Sequence, residues 1–260
     1  MFLVLPNPYK IPSMTPARFV ALLLLIGALC TAVLSAQRRR FSGFGFSQNA
    51  TPTTEFAIAR WYSTGWTSDG WSHDYPTAEQ HILQILKETS LLDTERFSYQ
   101  IVDLASPDIF KYPFSYVSHP GEVIPSDEEI VNLREYIERG GFLMLDDFGG
   151  QGQGSWEMDG FLNLLRRAFP GRDMYPLLDD HELLRISYDV DDLNMVHPMS
   201  GAKSTFYGFN DSKGRLAMVI CYANDVGDYW EFIDQRYYPV KPSAEALKLG
   251  MNIVLYSMTH

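Results

Sequence analysis

Apolar and polar positions change period several times along the chain, and each change marks an element. Phe19 to Leu34 reads FVALLLLIGALCTAVL, sixteen residues without a charge. The run 37–54, rich in Gly, Ser, Thr and Arg, keeps no period and predicts a linker. From Phe56 onward, short apolar runs alternate with amphipathic ones. Phe56–Trp61, Tyr99–Leu104, Phe114–Ser118 and Phe142–Leu145 predict four strands, the last wholly apolar as in a buried parallel sheet. Thr77 opens a helix with a capping box to Gln80 and apolar Ile82, Ile85 and Leu86. Ser126 and Glu129 form a second box ahead of Ile130, Leu133 and Ile137, and Gly140-Gly141 ends that helix. Residues 157–169 give a third, with Phe161, Leu164, Leu165 and Ala168 turned inward.

Strands alternating with helices of this length predict βαβ units, hence an α/β fold with a mainly parallel, doubly wound sheet covered by helices on both faces. Past residue 174 the alternation weakens. Thr205–Phe209 and Leu216–Tyr222, joined through Asn210 to Gly214, predict an antiparallel hairpin added at the sheet edge, and Ser243 caps a last apolar helix running through Met258. There is no internal repeat, so residues 55–260 read as one domain behind the targeting segment 1–36 and the linker 37–54.

Charge sharpens this division. All 32 acidic residues and 16 of the 21 basic ones fall from Glu55 onward, leaving that part at −16. Such a field repels phosphate backbones and argues against nucleic-acid binding. Lys10 and Arg18 precede the apolar run and Ser35-Ala36-Gln37 follow it, the pattern of a signal peptide cut after Ala36. Sixteen helical residues span about 24 Å, short of the roughly 30 Å hydrocarbon core. The expectation is therefore an exported protein, periplasmic or membrane-anchored. Arg38-Arg39-Arg40 oppose translocation and keep a rival open: an anchor at residues 19–34 in the inner membrane with a cytoplasmic domain. Cys30 lies in the apolar run, so the domain has only Cys221 and no internal disulfide.

In an open parallel sheet, ligands bind beyond the carboxyl ends of the strands, where strand order reverses. For a flavodoxin-like order 2-1-3-4 that point lies between the first and third strands. The loop after the first, Tyr62–Pro76, carries Trp66, Trp71, His73, Asp74 and Tyr75; Trp71 either stacks on a ligand or plugs the sheet. The third strand ends at Ser118-His119, and a His there suits an acid, base or metal ligand. The fourth ends at Asp146-Asp147, candidates for a general base or for Mg²⁺ or Ca²⁺ ligands, although adjacent strand residues point to opposite faces. Gly149–Ser155 is glycine-rich but lacks the Lys of a P-loop and the GxGxxG spacing. Asn224-Asp225 and Asp228-Tyr229-Trp230 either add ligands or form Asx turns, and His181 and His197 have no metal-ligand spacing.

Several of these motifs together resemble a bacterial family of unknown function, number 4159. They are Phe56-Ala57-Ile58-Ala59-Arg60 with Trp71 and Tyr75-Pro76, Tyr112-Pro113-Phe114-Ser115-Tyr116, Leu133-Arg134-Glu135-Tyr136 through Gly140-Gly141-Phe142, Asp146-Asp147, and Asn224-Asp225 with Gly227-Asp228 and Trp230-Glu231. The resemblance implies a flavodoxin-like fold similar to class I glutamine amidotransferases, often on exported or membrane-bound proteins, and no established activity. Amidotransfer needs a Cys nucleophile on a strand-to-helix elbow, whereas these elbows hold Ser118-His119 and Asp146-Asp147. The expectation is a non-catalytic envelope domain that binds a small molecule, glycan or envelope protein through Arg60, Trp71, His119, Asp146, Asp147, Asp225, Asp228 and Trp230. No motif requires a cofactor. Two alternatives stand beside it. One is a metal-assisted hydrolase of carbohydrate or peptide, with Asp146 or Asp147 on the cation and His119 as base. The other is a structural module of an envelope complex.

Overall fold

The computed structural model describes residues 50–148, 154–191, 193 and 197–260. The apolar segment 19–34, Arg38–Arg40 and most of the glycine-rich run, residues 149–153, lie outside them. No helix of the described residues is long and apolar enough to cross a membrane.

Among the described residues, seven strands form one sheet in the order β2-β1-β3-β4-β7-β6-β5. β1 (Ile58–Tyr62), β2 (Tyr99–Asp103), β3 (Phe114–Ser118), β4 (Phe142–Asp146) and β7 (Leu216–Tyr222) run parallel. β6 (Thr205–Asn210) pairs antiparallel with β7, and the two-residue β5 (Tyr175–Pro176) pairs antiparallel with β6. The expected 2-1-3-4 order is present. The hairpin joins it through β7, which lies parallel to β4 and makes the fifth parallel strand, so a further carboxyl end, with Asn224-Asp225 behind it, faces the same side.

The period-2 rule assigns each strand residue to one of two helical layers. Ala59, Trp61, Val117, Leu143 and Leu145 pack with Ile130, Leu133 and Ile137 of α2 (Asp127–Glu138) and with Phe161, Leu165 and Ala168 of α3 (Gly154–Ala168). On the other face Ile58, Arg60, Phe114 and Tyr116 meet Ala78, Glu79 and Ile82 of α1 (Thr77–Thr89) and Val254 of α5 (Val240–Thr259). Trp230 of the short α4 (Val226–Glu231) closes that layer by donating from its indole N–H to the Ala246 carbonyl, 3.0 Å away.

The Ser126 capping box forms: the Ser126 hydroxyl accepts from Glu129 N–H at 3.2 Å, and the Glu129 carboxylate accepts from Ser126 N–H at 2.7 Å. The Thr77 box does not. Pro76 takes the N-cap position, and Gln80 is drawn away to donate to the Tyr99 hydroxyl at 2.9 Å. Ser243 likewise caps nothing, because α5 starts earlier, at Val240 behind Pro239, and the Ser243 hydroxyl donates to the Pro239 carbonyl from inside the helix.

Candidate functional site

Three non-glycine residues held in the left-handed region sit just past the carboxyl ends of parallel strands, His119 (φ 47°) after β3, Asp147 (φ 54°) after β4 and Ala223 (φ 52°) after β7, and a fourth, Asp74 (φ 63°), lies late in the loop after β1. Each costs of order 1–3 kcal/mol, and such strain gathers where a structure must hold side chains in one place. Three of the four carry groups that bind protons or metals.

The first two loops are stitched together across the point where strand order reverses. Trp66 pairs with Val123 as an isolated bridge, Ile124 N–H donates to the Gly65 carbonyl (2.9 Å), and Thr67 N–H to the Glu122 carbonyl (3.1 Å). His73 is thereby carried over to His119, their ring centroids 4.6 Å apart. Asp147 reaches the same point because its backbone has left strand geometry, which defeats the alternation that would send adjacent carboxylates to opposite faces. Its Oδ2 lies 3.0 Å from His73 Nδ1, 2.8 Å from His119 Nε2 and 3.1 Å from the Ser118 hydroxyl, while the two imidazole nitrogens are 3.0 Å apart. The other nitrogen of His119, Nδ1, is 2.6 Å from Glu157 of α3. That contact depends on a turn at Pro120–Glu122 lying on the α3 backbone: a Cβ at Gly121 would sit 1.9 Å from the Glu157 carbonyl oxygen.

These contacts set the charge states. Burial works against a charged His119 ring, but its bonds to Asp147 and Glu157 outweigh it and raise its pKa to about 10. Burial alone would raise Asp147; the bonds from His119 and His73 prevail and hold it down to about 2. Without a metal, an imidazolium therefore bridges two carboxylates.

Behind this triad lies an acidic group. Asp74, Asp225 and Asp228 bring carboxylate oxygens within 4.8 Å of one another, as do Asp147, His197 and Asp225 with their ligand atoms. Burial, then the charge on Asp147, holds the Asp74 carboxyl well above its ordinary range; burial, then Asp74, does the same to Asp225. Asp225 also caps α4, accepting from Asp228 N–H at 2.9 Å, so the Asx turn and the site share one residue. Asp228 accepts from the Tyr238 hydroxyl at 2.7 Å.

The remaining expected site residues stand elsewhere. Arg60 is 0 % exposed beneath the loop: its Nε donates to Glu79 at 2.6 Å, one terminal nitrogen reaches the carbonyls of Trp71 (3.3 Å) and His73 (3.1 Å), and the guanidinium lies 4.2 Å over the Tyr116 ring. Asp146, also 0 % exposed, accepts from the Tyr116 hydroxyl and Gly227 N–H, both at 2.8 Å; burial raises its pKa to about 6 against those bonds. Trp71 sits edge-to-face on Tyr62 with 3 % exposure, and Trp230 is equally buried: both fill the sheet top. Arg60, His119 and Asp146 thus do not line one open cavity. Arg60 and Asp146 are the support, and Asp147 and His119 are the surface they support.

Sequence reasoning passed over Glu157 and set His73, Asp74 and His197 aside. Glu157 had a signal, standing four residues before Phe161 on the inward stripe of α3, where an acid needs a partner. His197 had none, since nothing local marks its side chain as returning to the site.

No curated protein matches the chain. The family model for a domain of unknown function, DUF4159, matches residues 57–258, nearly all of the described domain, and the chain belongs to that family.

Proposed function

We propose that the domain is a divalent-metal hydrolase, with the ion held by His73, His119 and Asp147. One observation carries the reading: two imidazole nitrogens and a carboxylate oxygen from three different loops stand 2.8–3.0 Å apart. Ligand atoms at cis positions around an octahedral ion, about 2.0–2.1 Å from it, are spaced by about 2.9 Å. Glu157 on the far nitrogen of His119 is the partner a ligating histidine takes to fix its tautomer, and Ser118 does the same for Asp147. To hold a cation through Nε2, His119 would release that nitrogen's proton to solvent while its Nδ1–H goes on donating to Glu157.

Three protein ligands leave positions for water, and the His73 side chain is 51 % exposed, so the open side faces solvent. That is the arrangement of a catalytic ion rather than a closed structural one. An ion there would supply a bound water with its pKa lowered to about 7 as the nucleophile toward a carbonyl, glycosidic or phosphoryl centre. The binding-only pocket loses support, because Arg60, its charged anchor, is spent on Glu79 and two carbonyls.

The test uses the full-length protein stripped with EDTA and offered Mn²⁺, Zn²⁺, Mg²⁺ or Ca²⁺. A cation at a hundred times its Kd stabilises by about 2.7 kcal/mol, which His119→Ala abolishes. Activity is then read on chromogenic glycoside, peptide and phosphoester substrates with and without the ion. No retained metal and no thermal shift with any cation overturns the reading. We also infer export, from the length of the apolar run 19–34. A mature chain starting at Gln37 by mass spectrometry supports it, and retention of residues 1–36 points to an anchor.

A further inference from the structure

We propose that a second, harder divalent cation of the Mg²⁺ or Mn²⁺ kind binds Asp74, Asp225 and Asp228, so that the site is binuclear. This deepens the metal reading of the triad and rests on it. The three carboxylates come from two places in the chain, the loop after β1 and the first turn of α4, and their oxygens lie within 4.8 Å of one another. An all-oxygen set suits Mg²⁺ or Mn²⁺, whereas the triad with two imidazoles suits a first-row transition ion.

Proximity of acids alone is not a site. A second observation is that the Asp74 Oδ2 oxygen is sealed from solvent and takes no hydrogen bond. A buried carboxylate oxygen without a donor is costly, and a coordinated cation removes that cost. Gly227 is what lets this oxygen in: a Cβ there would stand 2.4 Å from Asp74 Oδ2 and 2.4 Å from the Tyr116 hydroxyl. Meanwhile Asp225 is held by Asp228 N–H and Asp228 by Tyr238, so each is oriented by a donor on one oxygen. Arg60, the buried cation of this face, is already matched by Glu79.

The two ions would meet at Asp147. It belongs to the triad, and one of its oxygens is also within 4.8 Å of Asp225 and His197. His197 is the exception in this shell. Its Nδ1 accepts from Met199 N–H at 3.2 Å, so the hydrogen of the neutral ring is on Nε2. That nitrogen therefore offers no lone pair to an ion, which leaves His197 out of the ligand set. A pair of ions held there would supply a clamp on both the attacking and the leaving oxygen of a displacement.

The test is Mn²⁺ stoichiometry and electron paramagnetic resonance on the full-length protein after EDTA treatment. Wild type should bind two Mn²⁺ per chain and give a spin-coupled signal. Asp74→Asn/Asp228→Asn should bind one and give an uncoupled six-line signal, and His73→Ala/His119→Ala should also fall to one. Melting in EDTA checks folding; the Asn pair relieves like charges and should melt no lower than wild type. Where the pair fails to fold, Asp228→Asn alone replaces it. One Mn²⁺ in wild type, kept by the Asn variant and lost by the His variant, overturns the second ion and leaves the hydrolase reading standing. One ion lost by the Asn variant and kept by the His variant overturns the binuclear site and the triad as metal ligands. No Mn²⁺ in wild type overturns both.

Discussion

Replacing Glu79 by Gln tests whether the site rests on a buried ion pair or on a neutral hydrogen bond. Arg60 and Glu79 are 0 % and 2 % exposed, and the guanidinium Nε and Nη2 both lie 2.6 Å from Glu79 Oε1. Burial pushes the Glu79 carboxyl up and Arg60 pulls it back down. With the pair ionised, Gln leaves a buried guanidinium without a counter-charge, a loss of about 3–5 kcal/mol. For a domain of this size about 1 kcal/mol moves Tm by roughly 2–4 °C, so the expected drop is about 10 °C. Arg60→Met/Glu79→Met removes both charges and should recover part of it. Full recovery is not expected, because the carbonyls of Trp71 and His73 lose their shared donor, at about 1–3 kcal/mol for each one left buried and unpaired. The double variant should also bind metal more weakly, since that donor fixes the backbone of His73. Urea denaturation of the three proteins decides: a Glu79→Gln loss under about 1 kcal/mol means that Glu79 carries a proton, and the ion-pair reasoning fails.

Gly121→Ala should lower stability by more than about 2 kcal/mol and weaken metal binding together, because its Cβ meets the Glu157 carbonyl and lifts His119 off Glu157; calorimetry with Mn²⁺ reads both. Ser126→Ala should cost about 1 kcal/mol through the lost capping box and leave metal affinity unchanged, which separates a global loss from a local one. Glu138 supplies a pH test. Burial alone would raise its carboxyl, but the bonds from Ser212 and Arg172 hold it below the ordinary value, so its contribution is present above about pH 4.5 and fades as pH falls through the folded value. The Tm gap between wild type and Glu138→Gln, small for a partly exposed pair, should therefore close between pH 7 and pH 3.

The periodicity carried the strands well: four of them and the helix after Ser126 follow from it, because burial on both faces imposes one register on each apolar run, while the 2-1-3-4 order came with the flavodoxin-like fold assumed for them. It missed where ends are decided by tertiary partners. Gln80 belongs to Tyr99, and α5 begins behind Pro239, facts a local window does not hold. Strand ends put His119 and Asp147 at the carboxyl edge of the sheet, where they stand, whereas Arg60 was read without its period. Alternating with Ile58, it had to point into a layer of helices, and only an acid such as Glu79 makes that tolerable. His197 and Glu157 return to the site from more than 35 residues away from His119 in sequence, which spacing alone does not predict.

The division of labour between Asp146 and Asp147 implies that an ion at the proposed site would act on stability as well as chemistry. Asp146 keeps strand geometry and spends its Oδ2 on Tyr116 and on the first turn of α4, tying β3 and β4 to the segment that bears Asp225 and Asp228. Asp147 turns out of the strand and faces the open side with the two histidines. The same short stretch therefore draws five carboxylates, Asp74, Asp146, Asp147, Asp225 and Asp228, toward one sheet end. In the metal-free protein that crowding opposes folding, and protons answer it only in part. Ions that bind the folded site and not the unfolded chain would add their binding free energy to folding and hold the four strained backbone positions most firmly. Metal should then protect the amides of Asp74, His119, Asp147 and Ala223 from hydrogen exchange more than those of the sheet centre, and uniform protection would show that the cation acts elsewhere.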